Sequence, residues 1–97
     1  MTENQKKCLE QAESYMKKMP LSEAGLKDQL DYKGYDSEEI NFALENINAD
    51  WNENALHKAK DYVDTLPLSD DSLKKQLAYD GFTEEQVAYA FERVFEK

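Results

Sequence analysis

The chain repeats itself. Displaced by 47 residues, it matches Tyr15 to Tyr62, Pro20 to Pro67, Leu21-Ser22 to Leu68-Ser69 and Leu26-Lys27 to Leu73-Lys74. The same shift matches Gln29-Leu30 to Gln76-Leu77, Tyr32 to Tyr79, Gly34 to Gly81, Glu38 to Glu85 and Ala43 to Ala90. Tyr35 faces Phe82 and Ile47 faces Val94, and no gap is needed. A duplication of this length restricts the fold to two copies of one supersecondary unit, each too small to bury much surface alone. The copies are expected to span residues 1–48 and 49–97.

Each copy reads as three helices. Cys8, Leu9, Ala12, Tyr15, Met16 and Met19 recur at helical spacing, as do Ala55, Leu56, Ala59, Tyr62, Val63 and Leu66. These stripes predict first helices over about 3–18 and 51–65, stopped by Pro20 and Pro67. Asp50 with Glu53 has the spacing of an acidic cap with its N3 partner. Ser22 and Ser69 are N-cap residues for the second helices, which end at Gly34 and Gly81. Leu21 with Leu26, and Leu68 with Leu73, have the spacing of hydrophobic staples. The third helices open on Asp36 with Glu39 and Thr83 with Gln86, both capping-box pairs, stapled by Tyr35 to Ile40 and Phe82 to Val87. The expected fold is all-α, a tandem of two three-helix modules resembling helix-turn-helix units. The join at 46–50 holds no Gly, Pro or Ser and reads as a stiff joint. Trp51 has no counterpart in the first copy and is expected at the seam between copies.

Charge limits the function. The chain carries 12 basic and 21 acidic residues, net −9. Both halves share the excess: six Lys against ten acids in 1–48, and five Lys with one Arg against eleven acids in 49–97. Nucleic acid is excluded as a partner because phosphate binding needs a cationic face. A DNA-reading use of the third helices, 37–47 and 84–96, would set Glu38, Glu39, Glu45, Glu84, Glu85 and Glu92 against phosphates. A protein partner with a basic surface is the electrostatic complement.

No catalytic or metal constellation is present. His57 is the one histidine, on a helix and without a nucleophile. Cys8 lies on the apolar stripe and reads as a small core residue. Ser69-Asp70-Asp71-Ser72 lacks the order of a calcium loop and reads as a helix start. Three glycines make no phosphate loop. No catalytic, metal or cofactor residues are therefore assigned. Tyr15, Tyr32, Tyr62 and Tyr79 are expected in the core with hydroxyls reaching water; the other reading of Tyr32 and Tyr79 is as aromatic anchors of a binding face. The candidate partner-binding residues are Asp70, Asp71, Asp80, Glu38, Glu85, Tyr32 and Tyr79.

The run from Ala55 through Tyr62, Leu66-Pro67-Leu68-Ser69, Leu73 through Leu77, and Tyr79-Asp80-Gly81-Phe82 resembles the host cell surface-exposed lipoprotein family (Ltp type). So does the join Asp50-Trp51-Asn52-Glu53. The resemblance implies paired helix-turn-helix repeats without DNA-binding activity, held by a lipid-anchored N-terminal cysteine on the outer face of the cytoplasmic membrane. It implies superinfection exclusion, a block to DNA entry by an incoming phage through its tape measure protein. The alternative within the same family is a bacterial surface domain with no antiphage role. Cys8, after Gln5-Lys6-Lys7, is not a lipobox, and no signal peptide is recognisable. The expectation is the soluble, monomeric part of an anchored protein; a complete chain of this sequence would be cytoplasmic.

Overall fold

The structure, a computed structural model, describes residues 1–95. They form six α-helices: α1 Glu3–Lys18, α2 Glu23–Tyr32, α3 Ser37–Asn46, α4 Trp51–Thr65, α5 Asp70–Tyr79 and α6 Glu84–Arg93. The chain is all-α and its two three-helix repeats stand in tandem, as the duplication requires. The third helices are shorter than the spacing suggests. Ile47 caps α3, and α6 stops at Arg93 with a turn at 94–95; residue 96, which the sequence placed in that helix, lies outside the described residues.

Local signals set the boundaries. Thr2, Ser22, Asp36, Asp50, Ser69 and Thr83 each accept an N–H from the first turn of their helix. Reciprocal capping boxes form at Asp36–Glu39 and Thr83–Gln86, and also at Thr2–Gln5. The last is a pair of the same kind that is easy to overlook at a chain end. Asp50 caps α4, but no reciprocal bond closes that box. The Glu53 carboxylate instead accepts the Tyr89 hydroxyl at 2.5 Å, a bond across to α6.

Both second helices close in a left-handed glycine turn. Tyr35 N–H donates to Leu30 O at 3.3 Å and Gly34 N–H to Asp31 O at 3.0 Å; Phe82 to Leu77 and Gly81 to Ala78 repeat the pattern at 3.2 and 3.0 Å. These are the paired bonds of a Schellman motif.

Each repeat has its own core. Cys8, Ala12, Leu26, Leu30, Ile40 and Ala43 make the first, and Ala55, Leu56, Ala59, Leu73, Leu77, Phe82, Val87, Ala90 and Val94 the second. In each, the long first helix packs chiefly on the third, with the second bracing both. The repeats stack end to end, giving a body of 45 × 22 × 22 Å.

Candidate interaction surface

The seam joining the repeats is built from helix ends and a turn, because no helix of one repeat packs along a helix of the other. Ser22 is buried at its centre, 1 % exposed. Its Oγ accepts the Gly25 N–H at 2.9 Å as an N-cap and donates to the main-chain O of Asp80 at 2.6 Å. One hydroxyl thus caps α2 and ties it to the α5–α6 turn. Asn54 Nδ2 donates to Leu21 O at 2.9 Å. Trp51 lies half-buried on the core of the first repeat although it opens the second, the seam position its sequence context predicted. The seam had a faint sequence signal. Ala24 and Gly25 stand in the first copy where the second has Asp71 and Ser72, small residues where a neighbour comes close.

Asp80 is held from both ends. Its carboxylate accepts the Tyr62 hydroxyl at 2.5 Å while its carbonyl accepts Ser22. Burial first, and then this bond to the Asp80 carboxylate, push the Tyr62 phenol up to about 12. The sequence candidates meet different fates. Asp70, Asp71, Glu38 and Glu85 all lie exposed in the first turns of α5, α3 and α6, where they favour the positive helix end. Asp80 is half-buried in the seam. No hydrogen bond or ion pair links any two of the seven among the described residues.

The tyrosines divide. Tyr15 and Tyr62 pack on their cores. Tyr32 and Tyr79 do not: they are 85 % and 86 % exposed, against the expectation of core packing. The reason is helical phase. Leu30 and Leu77 face the core, and two residues later the side chain has turned about 200° to the far side. Tyr35 and Phe82, beyond the glycines, take the core positions instead. Tyr32 and Tyr79 thus stand exposed in the last turns of α2 and α5.

Beyond the seam, the surface is acidic and sparsely paired. The ion pair found among the described residues, Arg93–Glu92 at 3.6 Å, is solvent-exposed, and pairs of this kind contribute little. The Arg93 guanidinium lies 3.8 Å from the ring centre of Tyr89, whose phenol is raised chiefly by its bond to Glu53. Most carboxylates are therefore free to meet cations from outside. His57 is exposed on α4, and Cys8 is fully buried with its thiol raised by that burial and then by Glu39 and Asp36. No group of three or more His, Cys, Asp or Glu among the described residues could hold a metal ion. No helix there is long and apolar enough to cross a membrane.

Fold and surface together define a tandem all-α repeat protein with its carboxylates turned outward. Comparison with known proteins narrows the class. The family model described as "Host cell surface-exposed lipoprotein" matches residues 3–47 and again 50–94, one match per repeat. The chain belongs to that family. It is also similar to the solved structure of Ltp, a superinfection exclusion protein from the Streptococcus thermophilus temperate phage TP-J34. The identity is 33 %, the TM-score 0.87, and the similarity covers 96 % of this chain and 97 % of that one. No curated protein matches.

Proposed function

We propose that this chain is the non-enzymatic binding module of a surface-displayed lipoprotein that blocks DNA injection by an incoming phage. The observation that carries this reading is the 33 % identity over 96 % of the chain to a superinfection exclusion protein, with both repeats matched by the family model. The target is a phage protein, the tape measure protein, engaged through a basic surface. The net charge of −9 supports a cationic partner and disfavours nucleic acid. Display is on the outer face of the cytoplasmic membrane, through a lipid anchor. The chain acts as a monomer.

The test is to display the chain through a lipid anchor on a susceptible host, then measure phage adsorption and DNA entry separately. The expected result is normal adsorption with blocked entry. Unimpaired entry at full surface display favours a surface interaction domain without an antiphage role. Association with the purified target is expected to slow as salt rises; an on-rate indifferent to salt would remove charge as the steering force.

A further inference from the structure

We propose that the groove between α5 and α6 of the second repeat docks an amphipathic helix of the protein partner, a site the first repeat lacks. This rests on the reading of the chain as a protein-binding module and says where it binds.

The groove encloses about 470 Å³. Its lining is largely apolar: buried Phe82 and Val87, exposed Ala78 from α5 and Ala88 from α6, and half-buried Phe91. Phe82 and Val87 belong to the core, so their presence has a packing reason. Ala78 and Ala88 are exposed and have none. The internal duplication supplies the comparison. At the positions matching Ala78 and Ala88 the first repeat has Asp31 and Asn41, and at Phe91 it has Leu44. The same scaffold therefore folds with polar walls, and the second repeat has apolar ones at sites where water would accept either. Phe95, 58 % exposed, meets Phe91 edge to face with centroids 6.1 Å apart and extends the apolar surface.

The rims set the chemistry of the occupant. Lys74 and Lys75 line the α5 side, and Glu84 and Glu92 the α6 side. The Lys74 ammonium lies 4.2 Å from the Phe91 ring centre, against the apolar lining. The two walls are ten-residue helices, roughly 15 Å long at a helical rise of 1.5 Å per residue. A helix of about three turns fits that length. It presents an apolar stripe to Phe82, Val87 and Phe91, carboxylates on the flank beside Lys74 and Lys75, and Lys or Arg on the flank beside Glu84 and Glu92. The overall negative charge makes the basic flank the one drawn in first.

Two measurements test this. The first is an amide-shift titration of the isotope-labelled chain with a synthetic 14-residue amphipathic peptide: a leucine stripe, Glu on one flank, Lys on the other. Saturable shifts at Ala78, Val87, Ala88 and Phe91 are expected, with affinity falling about tenfold or more in Ala88→Glu, which places a charge on the apolar wall. Ala88 is exposed and glutamate is a good helix former, so the variant keeps its fold. Asn41→Glu, the matching change in the first repeat, should have no effect. Absent shifts, shifts centred on α2 and α3, or equal binding by a scrambled peptide would overturn the site. The second measurement uses the surface-displayed chain and phage DNA entry. Loss of the block in Ala88→Glu but not Asn41→Glu supports the groove. A full block by Ala88→Glu overturns it and leaves the antiphage reading intact. If the unmodified chain blocks nothing, that reading fails, and the peptide titration alone decides the groove.

Discussion

Gly34 and Gly81 occupy the same place in the two repeats, yet an alanine would meet different surroundings. Both have positive φ, +97° and +101°. A Cβ at Gly34 meets nothing within 4 Å, so Gly34→Ala bears only the left-handed strain, about 1–2 kcal/mol. A Cβ at Gly81 would stand 2.7 Å from Ser22 Oγ and 2.9 Å from Ala24 Cβ, across the seam. Gly81→Ala is therefore expected to lose a further ~1–3 kcal/mol from overpacking in chemical denaturation. Part of that excess should return in a Ser22→Ala background, with the Ala24 contact still in place. Equal losses for the two glycines would show that the seam yields freely. Tyr62 gives a second prediction at this scale. Its phenol rises from 10.0 to about 12 on folding, through burial and then the Asp80 bond. A raised pKa means that the folded state holds the proton longer, so the stabilisation is complete below pH 10 and is lost as pH climbs toward 12. Tyr35 and Tyr89 shift the same way. Stability measured across this window should fall more steeply in the unmodified chain than in Tyr62→Phe; parallel curves would exclude Tyr62 as a contributor.

At the scale of the element, matching sequence does not mean matching work. Ser22 and Ser69 are both N-caps of a second helix. Ser69 is exposed and its hydroxyl turns to Ser72 Oγ at 3.0 Å. Ser22 is buried and spans to Asp80. Ser69→Ala should cost about 1 kcal/mol, an ordinary cap. Ser22→Ala should cost about 1–3 kcal/mol more, because the Asp80 carbonyl loses its partner in a half-buried place. Thermal unfolding of the two variants side by side checks the difference. The caps, glycine stops and staple positions were legible in the sequence because they are local: their partners lie within a few residues. What was not legible depends on the neighbour. Glu53 has the spacing of a capping-box partner and goes to Tyr89 instead, a residue 36 positions away. The candidate acids could not be ranked, since every first turn has a structural use for a carboxylate. Tyr32 and Tyr79 could have been placed correctly from phase alone, by counting two residues on from Leu30 and Leu77. The groove walls Ala78 and Ala88 were visible only as differences between copies, and differences gain meaning once the fold shows which positions are exposed.

The whole molecule raises the question of whether two cores unfold as one. Each repeat is near the size at which a domain buries too little surface to stand alone. Their cores are separate clusters, and the ties between them include Trp51 lying on the first core, the Asn54–Leu21 bond and the Ser22–Asp80 bond. In a linear repeat protein, stability is the sum of intrinsic repeat terms and interface terms, and a favourable interface on marginal repeats makes unfolding cooperative. The chain carries a reporter for each part. Cys8, fully buried in the first core, becomes open to thiol reagents only when that repeat opens. Trp51 reports the seam by fluorescence, and helix signal reports the sum. In the unmodified chain, urea midpoints from all three should coincide. Ser22→Ala with Asn54→Ala removes two polar ties, about 1–3 kcal/mol beyond the α2 cap for the first and about 1 kcal/mol for the second, and leaves the apolar cores and Trp51 in place. In that double variant, Cys8 should be labelled at a different urea concentration from the midpoint of helix loss, the two repeats now unfolding separately. Coincident midpoints in the double variant would mean that the remaining seam packing, Trp51 and the approach of Gly81 to Ala24, couples the repeats. Divergent midpoints in the unmodified chain would mean that the seam orients the repeats without stabilising them together.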